Sequence, residues 1–205
     1  MLNLGCGPGG ETAGFAQDGA AAVFGIDIEG SRLKAAARFA AKTVPGGPIM
    51  FARGDGNRLP FRDGTFDIVT MRDVMEHLER PLDALLEARR VLAPGGRIHL
   101  SFGPLWYSPW GGHMFTFIYI PWLHLLAPQR TVLGARSFFR SDGARTYEQA
   151  GVFKMTVGKF RRLLDQCGMD VEYLHLRATK NLRLALKFPV LRELMCSEIA
   201  CTLRK

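Results

Sequence analysis

The sequence LNLGCGPGG, residues 2–10, opens the chain and decides its fold. A short apolar run ends there in glycines at alternate positions, Gly5, Gly7 and Gly9. Because glycine has no Cβ, such a turn can lead sharply from a strand into a helix and bring bare backbone N–H groups against a ligand. We therefore predict a strand, a ligand-binding turn and a helix at the start of the chain.

An acidic residue follows this turn at the spacing typical of nucleotide-binding sheets. The apolar run of residues 20–26 predicts a second buried strand, and Asp27 ends it. A carboxylate at the carboxyl end of a strand can accept hydrogen bonds from ribose hydroxyls. Gly5, Gly7 and Gly10 also fit the dinucleotide fingerprint. We expect a ligand that contains a nucleoside, in preference to a loop glycine cluster with a turn aspartate.

A second carboxylate indicates that the nucleoside is adenosine. Asp55 follows a third apolar run and can accept from an exocyclic amine, while the N–H of Gly56 can donate to a ring nitrogen. The elements predicted next continue a βαβ series: a strand over residues 66–71, a helix over 82–91, a break at 94–96 and a strand over 97–102.

Four sequence blocks together resemble the class I S-adenosylmethionine-dependent methyltransferases. They are LNLGCGPGG at 2–10, GIDIE at 25–29, GDGNRLPFRDGTFDIV at 54–69 with MEHL at 75–78, and RVLAPGGRIHLSF at 90–102. The resemblance implies an α/β fold with a Rossmann-like, doubly wound sheet of mostly parallel strands and a C-terminal antiparallel hairpin. It also implies S-adenosylmethionine as the cofactor.

The residues that the resemblance assigns to the cofactor all lie at or just beyond the first four strands. Gly5, Cys6 and Gly7 would line the methionine and ribose, Asp27 the ribose diol, Ile28 the adenine face, Asp55 and Gly56 the adenine edge, and Met71 and Arg72 the methionine through backbone atoms.

Two features depart from the family pattern. Asn3 stands where the family usually has an acidic residue, which keeps a hydrogen-bond acceptor and removes the charge. Members of the family also carry some tens of residues, including a helix over the methionine end, before the first strand, whereas three residues precede Leu4 here. We therefore expect this chain to lack the N-terminal cap and its true start to lie upstream.

The length predicts a single domain, residues 1–205, in three parts. Residues 1–103 form the cofactor-binding half, 104–155 a substrate-recognition insert, and 156–205 the helix and last two strands that complete the sheet. In this last part we predict a helix over 157–166 ended by Gly168, strands over 169–176 and 197–203, and a basic connection, 177–196, that adds a helix.

Charge and aromatic residues concentrate outside the cofactor half. Residues 1–103 contain 12 Lys and Arg against 12 Asp and Glu, whereas 104–205 contain 15 against 7 and so supply the whole net charge of +8. The first half of the insert is aromatic (Trp106, Tyr107, Trp110, Phe115, Phe117, Tyr119, Trp122) and its second half is basic (Arg130, Arg136, Arg140, Arg145). We expect a pocket for a small or lipid- or glycan-linked acceptor with an anionic or polar end, or else a small aromatic core with a solvated basic surface.

His77 and His113 are the candidate catalytic residues. Methyl transfer is an in-line displacement that needs a base only where the acceptor still holds its proton. His77 lies just beyond the fourth strand, and His113 follows two glycines in the insert. Each can instead be a loop histidine that positions the backbone or faces solvent.

A metal site is the alternative for the same region. Asp73, Glu76 and His77 resemble the ligands of methyltransferases that activate a hydroxyl through a divalent ion, with His113 as a fourth ligand. Helical spacing would place the first three on one face. Because MEHL-like sequences also occur in metal-free relatives, we predict no metal.

Other functions fit less of the sequence. A nicotinamide reductase explains only the first two motifs, and a non-catalytic cofactor-binding module or an RNA methyltransferase stays an alternative. Nucleic acid is disfavoured as a partner because the aromatics do not alternate with the arginines. Residues 114–127 are too short an apolar stretch to span a bilayer, so any membrane contact is expected to be peripheral. Four cysteines without metal spacing favour a reducing cytoplasm.

Overall fold

A computed structural model describes residues 1–114 and 116–205. Phe115, one of the aromatic residues of the insert, lies outside the described residues. Seven strands form one sheet in the order β3-β2-β1-β4-β5-β7-β6. The strands are β1 Leu2–Leu4, β2 Val23–Asp27, β3 Ile49–Arg53, β4 Phe66–Arg72, β5 Leu92–Phe102, β6 Asp170–Ala178 and β7 Cys196–Arg204.

The first five strands are parallel, and β7 runs antiparallel between β5 and β6. The predicted α/β sheet with a C-terminal antiparallel hairpin is therefore confirmed. The carboxyl ends of β1 to β5 and of β6 lie at one edge of the sheet, because β6 is parallel to β5. The order of strands reverses beside β1, and ligands bind at such a point in open α/β sheets.

Seven helices accompany the described strands. They are α1 Gly10–Gln17, α2 Gly30–Thr43, α3 Pro81–Val91, α4 Leu123–Leu126, α5 Gln129–Ser137, α6 Val157–Cys167 and α7 Pro189–Met195, with 3-10 turns at Met75–His77, Thr179–Asn181 and Arg183–Lys187. The helices predicted over 82–91 and 157–166 are confirmed to within one residue. The basic connection does contain a helix, α7. Within the described part of the chain no helix is both long and apolar enough to cross a membrane.

The sequence predicts a break at residues 94–96 before the fifth strand, but these residues lie within that strand. Strand β5 begins at Leu92 and continues to Phe102. Its pairing with β4 shifts register there, since Phe66 pairs with Leu92 and Ile68 with Arg97. The glycines therefore form a bulge, which accommodates extra residues in one strand without ending it.

The main core lies between one face of the sheet and helices α3 and α6. In α6, Phe160, Leu163, Leu164 and Cys167 recur at helical spacing and are buried, so this helix presents one apolar stripe to the strands. The ring of Phe160 packs edge-on against Phe102 of β5 at 4.9 Å between centroids. Removing such a fully buried aromatic side chain costs about 3 to 5 kcal/mol, so this face fixes the position of β5 and of the residues that follow it.

Helices α1 and α2 cover the opposite face over β1, β2 and β3. Asn3 is buried there and its Nδ2 donates to Thr12 Oγ1 of α1 at 3.0 Å. The residue that replaces the family's usual acid therefore fixes α1 on the sheet. Beyond α1, the same face carries a cavity of about 650 Å3 bordered by β4, β5 and β7 and by Arg72 and His99.

The insert builds a small core of its own. Trp106 packs edge-on against His124 and Tyr147, at 4.8 and 4.9 Å between ring centroids. Met114, Val132, Leu133 and Val152 complete this cluster. The expectation of an aromatic core is thus met by Trp106 and Tyr147, whereas Tyr119 remains exposed.

Candidate functional site

The order β3-β2-β1-β4 brings together the carboxyl ends of the strands that precede the assigned residues. Backbone hydrogen bonds continue past the strands and fix the loops to one another. The N–H of Gly54 donates to the carbonyl of Asp27 at 3.1 Å, and the N–H of Asp73 donates to the carbonyl of Ser101 at 2.8 Å. The sheet therefore assembles the glycine turn, Asp27 and Asp55 at one edge.

The glycine turn needs glycine at two positions for different reasons. Gly5 has a φ of +73° and a Cβ there would collide with the side chain of Val74, just beyond β4. Gly7 has a φ of +49°, and no atom of the described residues lies within 4 Å of the place its Cβ would take. Gly5 thus permits packing inside the protein, whereas Gly7 leaves open space for a ligand to approach the backbone.

The expectation that bare N–H groups of this turn face a ligand is wrong. The N–H groups of Gly5 and Cys6 both donate to the carbonyl of Ile26, at 2.7 and 3.0 Å. That of Gly7 donates to Asp27 Oδ2 at 2.9 Å, and that of Gly9 donates to the carbonyl of Cys6 at 3.0 Å. The turn offers a close backbone approach rather than a set of anion-binding donors, which suits a cofactor without a pyrophosphate.

Asp27 ends β2 and is nearly buried. Its Oδ2 accepts from Gly7, and its Oδ1 accepts from the N–H of Glu29 at 2.8 Å. Each carboxylate oxygen has a second lone pair, so both can accept one further hydrogen bond from a diol. The two backbone donors fix the orientation of the carboxylate beside the turn.

Ile28 and Asp55 occupy the adjoining side of the site. Ile28 is 66% exposed, which is unusual for isoleucine and leaves an apolar surface for a flat ring. The Nε of Arg53 donates to its carbonyl at 3.0 Å and fixes the backbone there. Asp55 is exposed, and its Oδ1 accepts from both the N–H and the Nδ2 of Asn57. This turn holds Asp55 and Gly56 in place beyond β3.

Three of the residues assigned to the cofactor differ in whether their side chains can contact a ligand: Cys6, Met71 and Arg72. The side chains of Cys6 and Met71 are buried, so these residues can border a ligand only through backbone atoms. Burial also raises the pKa of the Cys6 thiol to about 12. The side chain of Arg72 is exposed and lies 3.9 Å from the carboxylate of Asp73. The backbone role that the resemblance implies for Met71 and Arg72 stays a prediction.

Glu76 is the residue whose importance the sequence analysis missed, since it considered Glu76 only as a metal ligand. The residue is 2% exposed, and its Oε1 accepts from the N–H of Gly103 at 3.0 Å, directly after β5. Among the described residues its buried Oε2 has no hydrogen-bond partner. Burial raises the pKa of Glu76 to about 7, against the hydrogen bonds that favour its charge. Its place in MEHL was the one sequence signal.

The two candidate histidines meet in space although 36 positions separate them. Their rings pack edge-on at 5.1 Å between centroids. Nδ1 of His77 lies 2.5 Å from the carbonyl of Gly151, and Nε2 of His113 lies 3.2 Å from the carbonyl of Pro104. A carbonyl can only accept, so in each neutral ring the bonded nitrogen holds the proton and the other nitrogen keeps its lone pair. Burial lowers the pKa of His113 to about 4.

The metal alternative does not fit this geometry. The helical spacing predicted that Asp73, Glu76 and His77 share one face, and this is wrong. Asp73 has a φ of +51° and precedes the 3-10 turn, so it does not lie on a helix with the other two. The buried carboxylate of Glu76 turns to Gly103, while His77 is exposed and turns to Gly151. In residues 1–114 and 116–205, no group of three or more His, Cys, Asp or Glu is placed to hold a metal ion.

The 3-10 turn also anchors both ends of the insert. The carbonyl of Glu76 accepts from the N–H of Phe153 at 3.0 Å, near the end of the insert, while its carboxylate holds Gly103 at the start. The N–H of Trp106 donates to the carbonyl of Met155 at 2.8 Å and closes the insert at its base. The residues beyond β4 therefore connect the cofactor edge to the insert.

Comparison with known proteins relates the first half of this chain to methyltransferases. The methyltransferase domain family model matches residues 2–100. A protein of Mycobacterium tuberculosis described as an uncharacterized methyltransferase is 35% identical over 113 residues, which is 55% of this chain and 42% of the relative. The match thus covers less than half the length of that curated relative.

Solved structures share the fold over the whole chain. An S-adenosylmethionine-dependent methyltransferase of Mesorhizobium loti aligns with 100% of this chain and 90% of its own, with a TM-score of 0.65 and 18% identity. The magnesium protoporphyrin IX methyltransferase of Synechocystis PCC 6803, solved with bound SAH, aligns with 100% of this chain and 73% of its own, with a TM-score of 0.59 and 20% identity. Likeness at these identities concerns the fold.

Proposed function

This chain belongs to the class I S-adenosylmethionine-dependent methyltransferases through residues 2–100, and on that premise we propose that it methylates an oxygen of a small or lipid- or glycan-linked acceptor. The observation that carries the proposal is the orientation of His77. In the neutral ring its Nδ1–H donates to the carbonyl of Gly151, so the lone pair of Nε2 is available as a base beside the cofactor edge. A base of this kind serves an acceptor that still holds its proton, such as a hydroxyl.

The residues present fit the cofactor. Gly7 leaves open the space that a Cβ would fill, the carboxylate of Asp27 can accept from a ribose diol, and Ile28 presents an exposed apolar surface to an adenine ring. When bound, S-adenosylmethionine supplies the electrophilic methyl group. The protein then has to hold the acceptor oxygen in line at about 3 Å and exclude water.

His77 and His113 have different roles in this proposal. His77 accepts the proton of the acceptor on Nε2. The low pKa of His113 keeps that ring neutral at pH 7, so it adds no second positive charge when His77 becomes protonated. His113 therefore acts as a positioning residue, packed edge-on against the ring of His77.

The insert favours an acceptor with an apolar body and an anionic end. Its exposed apolar side chains include Tyr119 and Phe138, and it contains five Lys and Arg against two Asp and Glu. The ring of Phe117 is stacked on Phe139 and covered by Arg140. Aromatic faces already occupied in this way are poorly placed to stack on bases, which argues against the RNA alternative.

The test is a methyl-transfer assay with labelled cofactor and a panel of acidic amphiphiles, neutral phenols and RNA. We expect transfer to an acidic amphiphile. We also expect His77→Ala to lower kcat by about 100-fold or more while the Kd for S-adenosylhomocysteine is unchanged. His175→Ala, in a histidine of β6, is the matched control and should leave kcat unchanged.

Three results would contradict the proposal. An unchanged kcat in His77→Ala would remove His77 as the base. Equal transfer to neutral phenols would remove the argument from charge. Binding of S-adenosylhomocysteine without transfer to any acceptor would favour the non-catalytic module.

A further inference from the structure

Exposed apolar side chains concentrate in two segments, the insert (residues 104–155) and the connection between β6 and β7 (residues 179–195). Among the described residues, eleven large apolar side chains are more than half exposed, and nine of them lie in these segments. Those of the insert are Tyr119, Ile120, Leu126, Phe138 and Phe139. Isolated exposed apolar residues are ordinary, but this concentration in about a third of the chain is typical of an interaction surface.

The connection is the more unusual of the two segments. Neither the 3-10 turn Arg183–Lys187 nor α7 contains a buried residue, although both are rich in leucine. Leu184 and Val190 are each 72% exposed, and Phe188 is 60% exposed. Among its described residues, the segment contacts its own protein through half-buried ones: Leu186 packs against the edge of the main core, and Glu193 of α7 bonds to the start of α6. Because packing supplies most helical stability, this helix is only weakly stabilised by its own chain. The side chains of Leu184, Phe188 and Val190 therefore form an exposed apolar surface on this segment.

Both segments leave the same edge of the sheet. The insert follows the carboxyl end of β5, and the connection follows the carboxyl end of β6, which is parallel to β5. The connection is also tied to the helix that follows the insert, because the carboxylate of Glu193 in α7 accepts from the N–H groups of Val157 and Gly158 at the start of α6. This edge is the one that holds the glycine turn and Asp27.

The charge of both segments is positive. The insert contains five Lys and Arg against two Asp and Glu, and the connection contains four against one. The two segments together therefore supply +6 of the net +8 of the chain. Exposed apolar side chains beside an excess of basic ones are complementary to one surface in particular, the headgroup region of an anionic bilayer.

We propose that the insert and the connection form a membrane-docking edge, which lies on an anionic lipid surface with its apolar side chains in the headgroup region and its Lys and Arg against lipid phosphates. Docking in this orientation turns the cofactor edge toward the bilayer. A lipid-linked acceptor would then reach the site from the membrane surface, a consequence that rests on the proposed function. The docking itself does not depend on the reaction.

The test is co-sedimentation of the full chain with vesicles at 0.1 M salt, without cofactor or acceptor. We expect binding to vesicles that contain phosphatidylglycerol and little binding to pure phosphatidylcholine vesicles. Raising the salt to 0.5 M should weaken the binding several-fold, since lipid charges are screened. The double variants Leu184→Ser/Val190→Ser and Arg183→Glu/Lys187→Glu should each lower the partition coefficient about tenfold or more.

The matched control is Phe39→Ser, in an apolar residue of α2 that is 44% exposed on another part of the protein. It should bind vesicles like the parent chain. Circular dichroism and the Kd for S-adenosylhomocysteine should be the same in all variants, which shows that they are folded and separates failure of docking from failure of the proposed function. The inference is overturned if folded parent protein does not bind anionic vesicles, or if Phe39→Ser loses as much binding as Leu184→Ser/Val190→Ser. It is equally overturned if Leu184→Ser/Val190→Ser and Arg183→Glu/Lys187→Glu abolish RNA binding or dimerisation of the chain while vesicle binding persists.

Discussion

Replacing Glu76 by Gln should make the protein more stable at alkaline pH and leave it nearly unchanged at acid pH. The carboxyl is buried, its Oε1 accepts from Gly103, and burial raises its pKa from 4.5 to about 7. Glutamine has nearly the same shape and keeps an oxygen for the N–H of Gly103. It removes only the ionisation.

The direction of the pH effect follows from proton binding. Below pH 4.5 the carboxyl is protonated in both the folded and the unfolded chain. As the pH rises from 4.5 to 7, the unfolded chain releases this proton while the folded chain keeps it, so the free energy of unfolding falls. At 1.36 kcal/mol for each pKa unit the full loss is about 3 kcal/mol, of which about 2.5 kcal/mol develops between pH 5 and pH 8.

The measurement is urea unfolding of the parent chain and Glu76→Gln, without cofactor, at pH 5 and pH 8. The difference in unfolding free energy between the two proteins should grow by about 2.5 kcal/mol in favour of Glu76→Gln, or about 5 to 10 °C in Tm. Taking the difference removes the titration of all other groups. Glu76→Leu leaves the N–H of Gly103 without an acceptor and should be destabilised by about 1 to 3 kcal/mol at pH 5.

Glu87→Gln is the control with the opposite sign. The side chain of Arg90 and the N–H of Leu59 bond to Glu87 and lower its pKa. The stability that this carboxylate contributes is present above the unfolded pKa and is lost as the pH falls, so Glu87→Gln should be destabilised more at pH 8 than at acid pH. If Glu76→Gln follows the parent chain at both pH values, the carboxyl of Glu76 is not buried as described and the reasoning fails.

Two further predictions concern the turn and the thiols. Gly7→Ala should raise the Kd for S-adenosylhomocysteine, measured by calorimetry, at least tenfold, because the new Cβ takes the open space; Gly19→Ala, at a φ of +92° with equally open surroundings, is the control and should leave the Kd unchanged. Both substitutions should lower the unfolding free energy by about 1 to 2 kcal/mol. Equal Kd values in the two variants would refute the assignment of Gly7. Burial raises the pKa values of Cys6, Cys196 and Cys201 to about 12, so at pH 8 iodoacetamide should modify these thiols only after denaturation, and rapid labelling of the native chain would contradict their burial.

The sequence by itself determined the fold and predicted the place of the cofactor. A glycine at positive φ, an apolar run that ends in an aspartate and a helix ended by Gly168 are local features, and each is encoded within a few residues. The order of these features was enough to predict a βαβ series with Gly5, Gly7, Asp27 and Asp55 at one edge of a sheet, and the family resemblance supplied the final antiparallel hairpin.

Only the tertiary structure decided the state of the groups at that edge. The N–H groups of the turn are not bare, because Asp27 and the carbonyl of Ile26, about 20 positions away, accept hydrogen bonds from them. The pKa of Glu76 is raised because the folded chain buries its carboxyl, although the N–H of Gly103 donates to it. The rings of His77 and His113 pack against each other although the residues are distant in sequence, and leucines of the connection are exposed. Burial and long-range hydrogen bonds depend on partners that are distant along the chain, and a sequence pattern read locally does not contain them.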